Sequence, residues 1–197
     1  MRLVKNLCRI IVGIVFIYSG FVKGIDPLGS DYKFTDYFNA FGMGWMNATT
    51  LFFSFALSLV EFLIGIALLF NLWVSRMAWG SLLFMAFFTP LTLVLALTNP
   101  VSDCGCFGDA MILTNWQTFW KNIILLLLAI MIFMYRKEYK SSLPLVGQFS
   151  FLALAGAGML CLSVYCYRHL PVLDFRPYAV GKNITEGMRL PEGAEPD

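Results

Sequence analysis

Long runs of apolar residues alternate with short polar segments along this chain of 197 residues. A helix that crosses the hydrocarbon core of a bilayer needs about 20 predominantly apolar residues. Five runs approach that length, and the predicted spans are residues 7–22, 51–74, 77–97, 113–135 and 149–167. We therefore expect an all-α membrane protein with a four-helix transmembrane bundle and a fifth, C-terminal transmembrane helix.

A shorter segment between the first two spans has a different pattern. Phe34, Tyr37, Phe38 and Phe41 recur at the spacing of one helix face, and Ser30 precedes them as a candidate N-cap. An amphipathic helix near residues 30–42 is predicted to lie along the membrane–water interface, with Trp45 as an aromatic anchor.

Composition agrees with the membrane assignment and excludes several other classes. Charged residues make up 13% of the chain, against about 25% in a typical soluble domain, and only five of them fall between residues 49 and 135. A net charge of +2 without a basic stripe argues against nucleic-acid binding. The one histidine, His169, excludes a multi-histidine metal centre.

The basic residues of the short loops indicate an orientation. Residues 136–140 form a dense basic turn between the fourth and fifth spans, whereas residues 98–116 contain no lysine or arginine. Because basic loops stay on the cytoplasmic side, the N-terminus is predicted to be cytoplasmic. The loop 98–116 and the C-terminus are then periplasmic, in the inner membrane of a bacterium.

Two cysteines separated by one glycine, Cys104 and Cys106, stand in the loop predicted to be periplasmic. Thiols in that compartment meet oxidants, and disulfides persist there. A ring this small is strained and is reduced more easily than a structural bridge, while Gly105 gives the backbone the freedom to close it. Such a pair is suited to thiol–disulfide exchange.

Other interpretations of the pair stay open: a static bridge, two free cysteines, or a soft-metal site completed by Asp109. Asp103 and Asp109 raise the thiol pKa unless another group compensates. We predict Cys106 to be the attacking thiol, because it lies nearer the start of the fourth span, where a helix N-terminus lowers a thiol pKa.

Glu61 falls in the middle of the second span, where a carboxylate is costly and normally faces a partner or a wet cavity. Arg9 and Lys23 are the candidate partners on the first span, although Arg9 could instead reach the lipid headgroups. A structural tie between helices and a proton-handling role are equally open for Glu61.

Several of these residues form a pattern that resembles the DoxX-like membrane proteins, and in particular their MauE branch, which is grouped with DoxD as redox-associated. The motifs that carry the resemblance are residues 9–13, residues 19–23 and Asp26-Pro27 in the first helix, Glu61 and Gly65 in the second, and the run Cys104-Gly105-Cys106-Phe107-Gly108. It covers roughly residues 1–135.

The resemblance implies a DoxX/MauE-like four-helix membrane domain over residues 1–135 that includes the interfacial helix. Residues 136–170 then supply the basic cytoplasmic turn and the fifth transmembrane helix, and residues 171–197 an extended periplasmic tail. Cys104 and Cys106 match family positions for which the resemblance implies a chemical role. Arg9, Lys23 and Glu61 also match family positions, but the resemblance implies no definite role for them.

The resemblance to MauE-type proteins implies a role in the maturation of disulfide-rich periplasmic enzymes. The resemblance to DoxD-type proteins implies a role in thiosulfate oxidation coupled to quinone. We therefore expect a thiol–disulfide oxidoreductase that exchanges electrons with a periplasmic thioredoxin-like protein. We expect no cofactor: vitamin K epoxide reductase-like enzymes reach a quinone through a second, C-x-x-C pair, which this sequence lacks. A non-enzymatic scaffold whose cysteines brace a loop is the alternative, and a transporter that uses Glu61 is a third hypothesis.

Overall fold

The computed structural model describes residues 2–101, 104–141 and 143–175. Within these ranges the regular elements are all helical: α1 (Arg2–Ile25), α2 (Pro27–Ala40), a 3₁₀ helix (Gly44–Thr49), α3 (Thr50–Leu69), α4 (Val74–Thr98), a 3₁₀ helix (Gly108–Ala110), α5 (Asn115–Met134) and α6 (Leu145–Arg168). Five of these helices, α1, α3, α4, α5 and α6, are long and apolar enough to cross a membrane. The prediction of an all-α membrane protein with five spans is confirmed.

The second span ends earlier than its hydropathy predicts. The apolar run continues to Val74, but α3 stops at Leu69 and a tight turn leads directly into α4. Asn71 and Trp73 both adopt left-handed backbone conformations in this turn, and Leu72 N–H bonds back to the Ala67 carbonyl. The predicted boundary was wrong because Leu72 and Trp73 are apolar residues of a buried turn rather than of a helix.

The predicted amphipathic helix exists as α2, but it begins three residues earlier than expected. Asp26 is its N-cap, with a carboxylate oxygen that accepts a hydrogen bond from Gly29 N at 3.0 Å, and Pro27 occupies the first helical turn. Ser30 is therefore not the cap. It lies inside the helix and is buried, because the aspartate–proline pair starts the helix first.

The apolar face of α2 packs on the N-terminal part of α3. The ring of Phe53 lies 6.3 Å from that of Phe34 and 5.9 Å from that of Phe38, measured between centroids. Trp45 lies on the following 3₁₀ helix with 81% of its surface exposed. The α2 segment is thus a packed part of the bundle.

Helix α1 is at the centre of the bundle, and its closest neighbour is α3. A Cβ atom at Gly20 would lie 2.6 Å from Phe62 N and 2.7 Å from Ser58 O, and one at Gly65 would lie 2.6 Å from Ile17 N. Side chains larger than hydrogen would force the two backbones apart. Small residues permit this approach between helices that cross a membrane.

The remaining helices surround this α1–α3 pair. Helix α5 packs against α4 and α1, and α6 packs against α3 and α1. Buried apolar residues join four of the helices in one core: Cys8, Val12 and Phe16 of α1, Ile64 and Leu68 of α3, Val74, Ala78 and Met85 of α4, and Leu125, Ala129 and Ile132 of α5. The fifth span is therefore packed on the four-helix unit.

This topology brings six segments together at one end of the bundle, called here the cysteine end. They are the C-terminal end of α1, all of α2, the N-terminal end of α3, the C-terminal end of α4, the loop 99–114 and the start of α5. The irregular residues 171–175 that follow α6 also reach this end, where they line a small pocket with Gly108 and Asp109. Of the predicted tail, residues 176–197 lie outside the described part of the chain.

Candidate thiol site

Cys104 and Cys106 lie side by side in the loop between α4 and α5. Their Sγ atoms are 3.0 Å apart, and both thiols are free and half-buried. Gly105 and Gly108 have φ angles of +61° and +51°, a region that favours glycine, and Gly108 N donates to Gly105 O at 3.1 Å. The glycines therefore allow the turn that brings the two sulfur atoms together.

Hydrogen bonds from two helices hold the backbone of the pair. Ser19 Oγ of α1 donates to the Cys106 carbonyl at 2.8 Å, and Lys23 Nζ lies 3.4 Å from the same oxygen. Tyr37 of α2 donates through its hydroxyl to the Cys104 carbonyl at 2.5 Å. The loop is thus fixed to the bundle without a bond between the two sulfur atoms.

Phe107 gives the loop an apolar attachment to the bundle. Its side chain is buried, with the Tyr18 ring edge-on at 5.4 Å between centroids. The ammonium of Lys121 from α5 lies 4.1 Å from the centroid of the Phe107 ring, within cation–π distance. This contact places a cation beside the residue that follows Cys106.

A buried ion pair lies beneath the loop. Lys23 Nζ of α1 is 2.5 Å from Glu61 Oε2 of α3, and the two side chains are 8% and 6% exposed. Lys23 Nζ also donates to Ser19 Oγ at 3.0 Å, which links the ion pair to the carbonyl of Cys106. The candidate partner of Glu61 on the first span is therefore Lys23.

Arg9 is not part of this site. Its guanidinium donates to the carbonyls of Leu68 and Leu69, the latter at 3.0 Å, and so satisfies acceptors at the C-terminal end of α3. The side chain is 9% exposed, so the expected reach to the headgroups is not observed. Pairing of Arg9 with Glu61 is also excluded, because Arg9 caps the opposite end of the helix that carries the glutamate.

A cavity of about 70 Å³ separates the ion pair from the thiols. Its polar lining includes Ser19, Lys23, Lys33, Tyr37, Glu61, Cys104, Cys106, Lys121 and Asn122. Most of its wall is apolar, and α4 contributes only Phe84, Met85, Phe88, Leu91 and Leu95. The buried carboxylate, three lysines and the two thiols therefore share one largely apolar space.

These surroundings make the two thiols unequal. The hydrogen bond from Cys104 lowers the pKa of Cys106 to about 6, against the effect of burial, and the ammonium groups of Lys121 and Lys23 act in the same direction. The pKa of Cys104 is raised by its hydrogen bond to Cys106 and by burial. Cys106 is thus the thiolate of the pair and Cys104 the thiol that donates to it.

The hydrogen bond from Cys104 is the largest cause of the lowered pKa of Cys106, and Lys121, from the second turn of α5, adds a positive charge. The N-terminus of α5 carries its own capping box, in which Thr114 accepts from Gln117 N and the Gln117 side chain accepts from Thr114 N. An effect of this helix N-terminus on the Cys106 thiol stays a prediction. Lys121 is one of few charged residues in the apolar spans. That isolation is the sequence feature that would have identified it as a candidate site residue.

The acidic flanks of the pair have separate positions. Asp109 lines the small pocket under residues 171–175, on the other side of the loop from the cavity, and Asp103 lies outside the described residues. Within residues 2–101, 104–141 and 143–175, no three side chains of His, Cys, Asp or Glu gather as metal ligands. The other cysteines lie on spans: Cys8 and Cys166 are buried, and Cys161 is exposed.

Comparison with known proteins matches one family to this chain. The family described as methylamine utilisation protein MauE matches residues 1–135, which contain α1 to α5 and the whole thiol site. No curated protein and no solved structure matches the chain.

Proposed function

This chain belongs to the MauE family, and from that premise we propose that it is an inner-membrane thiol–disulfide exchange protein of methylamine utilisation. The observation that carries the proposal is the pair itself. Two free thiols 3.0 Å apart, of which one has a pKa of about 6, lie at one end of a membrane-spanning bundle. A thiolate beside a second thiol is the arrangement that disulfide exchange requires.

The reaction proceeds through a mixed disulfide on Cys106. Its thiolate attacks one sulfur of a partner's disulfide, a Cys106–partner bond forms, and the electron pair leaves on the partner's other sulfur. Cys104 then loses its proton and attacks Cys106, which forms the Cys104–Cys106 disulfide and releases the partner as a dithiol. Two electrons pass from the pair to the partner, and the same steps in reverse oxidise a partner dithiol.

The proposed partner is a periplasmic thioredoxin-like protein, and this requires the cysteine end to face the periplasm. The basic residues support that orientation, because Lys5, Arg136, Lys137 and Lys140 all lie at the opposite end of the bundle. Cys104 and Cys106 are both partly exposed at this end, where the proposed partner would dock. The bilayer surrounds the five spans, and no cofactor is needed for the exchange.

Trapping of the mixed disulfide tests the proposal. In the full chain expressed in its membrane, Cys104→Ser removes the thiol that resolves the intermediate, so a covalent adduct of Cys106 with a periplasmic protein should accumulate. The adduct should appear on a non-reducing gel, disappear on reduction, and yield a thioredoxin-like protein by mass spectrometry. Cys106→Ser, the matched variant, should show much less adduct.

A structural brace would behave differently. If the cysteines only tighten the loop, Cys104→Ser and Cys106→Ser should lose the same stability and neither should form an adduct. That result would favour the scaffold function over exchange. The hydrogen bonds from Ser19 and Tyr37 argue against a brace, because they already hold the carbonyls of both cysteines.

A further inference from the structure

We propose that the charges of Lys23, Lys121 and Glu61 stabilise the reduced form of the Cys104–Cys106 pair, so that the disulfide form of this protein is an oxidant that takes electrons from a partner dithiol. The inference rests on the proposed exchange function and assigns its direction. The substrate class is therefore a protein with two reduced cysteines. In one turnover the Cys104–Cys106 disulfide is reduced to the Cys104 thiol and the Cys106 thiolate, and the partner dithiol becomes a disulfide. Two electrons and one proton pass to the pair, and the partner's second proton is released to water.

Charged side chains from four helices face the pair. Helix α1 contributes Lys23, α3 contributes Glu61, and α5 contributes Lys121, all of them at the cavity that Cys104 and Cys106 line. Helix α2 contributes Lys33 and the phenol of Tyr37, and the lining residues of α4 carry no ionisable group. Asp109 of the loop lies at the other pocket.

Lys23 and Lys121 differ in how their positive charges are compensated. Lys23 is matched by Glu61 at 2.5 Å, whereas Lys121 lies over the ring of Phe107 and has no carboxylate of the described residues within ion-pair distance. A cation in apolar surroundings is costly unless a negative charge is near. The thiolate of Cys106 supplies that charge. Among Lys23, Glu61, Lys121 and Cys106 the positive and negative charges are therefore equal in number when the pair is reduced, and Lys33 of α2 lies at the same cavity.

Oxidation of the pair changes the charge that faces Lys121. A disulfide is uncharged, so closing the Cys104–Cys106 bond removes the thiolate and leaves Lys121 with no carboxylate of the described residues at ion-pair distance. Any group that stabilises the reduced form more than the oxidised form makes the disulfide a stronger oxidant. The hydrogen bond between the two sulfur atoms acts in the same direction, since it exists only in the reduced pair. The lowered pKa of Cys106 agrees with this stabilisation.

Equilibration with glutathione tests the inference on the full chain in detergent, with Cys8, Cys161 and Cys166 replaced by alanine. The fraction oxidised is read by acid quenching, alkylation and mass spectrometry over a series of glutathione ratios. Lys121→Gln should shift the equilibrium at least about tenfold toward the disulfide, which is about 30 mV for a two-electron couple. Glu61→Gln should shift it in the opposite direction, because it removes the anion that competes with the thiolate.

Two further variants separate charge from structure. Lys121→Arg keeps the cation and should keep the equilibrium of the parent protein. The comparison of Lys121→Arg with Lys121→Gln tests the effect of the charge even if Glu61→Gln does not fold. Lys137→Gln removes an exposed lysine at the opposite end of the bundle and should change nothing. The pH profile of Cys106 alkylation gives a second readout, in which Lys121→Gln should move the thiol pKa upward.

The inference is overturned if Lys121→Gln leaves the equilibrium unchanged, or if the parent pair is more reducing than thioredoxin. Failure of the proposed function looks different, since it is the absence of any mixed disulfide with a periplasmic protein. A pair that forms the adduct but has a charge-insensitive equilibrium contradicts only the direction proposed here.

Discussion

Lys23 of α1 and Glu61 of α3 face each other inside the bundle, with Nζ and Oε2 2.5 Å apart and both side chains less than a tenth exposed. Through Ser19 the same lysine is linked to the carbonyl of Cys106. The ion pair thus joins the two most closely packed helices and supports the loop that carries the thiols.

Replacing one member of this ion pair should lower the stability of the protein more than replacing both members. Lys23→Met or Glu61→Leu leaves one buried charge without its partner, and we expect a loss of about 3–5 kcal/mol for either single variant. The double variant Lys23→Met/Glu61→Leu should recover much of that loss. Thermal unfolding of the detergent-solubilised chain measures the three values, and simple additivity of the two single losses would contradict the pairing.

Alkylation of the two thiols should depend on pH in different ranges. A thiolate reacts and a thiol does not, so the rate at Cys106 should rise with pH through a midpoint of about 6, while Cys104 should react only at higher pH. Cys104→Ala removes the hydrogen-bond donor and should move the Cys106 midpoint upward. Rates from iodoacetamide and mass spectrometry, over a pH series that brackets 6, give both profiles. Equal midpoints for the two cysteines would exclude the assignment of Cys106 as the thiolate.

Packing of α1 on α3 should be sensitive to a single methyl group. Gly20→Ala places a Cβ 2.6 Å from Phe62 N, a backbone atom that cannot move aside, and should lower the thermal midpoint clearly. Gly158→Ala is the matched control, because a Cβ there meets nothing within 4 Å, and it should be neutral or slightly stabilising. If Gly158→Ala lowered the thermal midpoint as much as Gly20→Ala, the close packing of α1 on α3 would not be the cause of the destabilisation.

Arg9 should matter for stability and not for the thiols. Arg9→Met leaves the carbonyls of Leu68 and Leu69 without their donor, at a cost of about 1–3 kcal/mol. The pH profile of Cys106 alkylation should stay that of the parent protein. A shifted profile in a folded Arg9→Met protein would place Arg9 in the site after all.

The orientation of the chain can be read by labelling from outside intact cells. With the native cysteines replaced, Thr98→Cys lies exposed at the cysteine end and Lys137→Cys lies exposed at the other. An impermeant thiol reagent should label Thr98→Cys at once and Lys137→Cys only after permeabilisation. The reverse pattern would place the pair in the reducing cytoplasm and remove the basis for periplasmic exchange.

Much of the architecture follows from local patterns. A bilayer requires about 20 apolar residues per helix and rejects charges from its core, so hydropathy alone located the five spans. Their ends were less predictable: α3 stops at Leu69 although apolar residues continue, because the turn is formed by left-handed Asn71 and Trp73. Helix α2 begins at Asp26 and Pro27 rather than at Ser30. Asp26 lies earlier in the chain, and its side chain already caps the helix by accepting a hydrogen bond from Gly29 N.

The sequence by itself determined the membrane class, the five spans and the presence of a Cys-Gly-Cys pair, because these depend on composition and on residues adjacent along the chain. Only the tertiary structure decided which charges meet. Arg9 and Lys23 are both basic residues of α1, yet one caps the far end of α3 and the other pairs with Glu61. The position of Lys121 beside Phe107 likewise depends on how α5 packs against α1. Contacts between distant helices are fixed by packing and by the cost of burying an unpaired charge, and no local pattern encodes them.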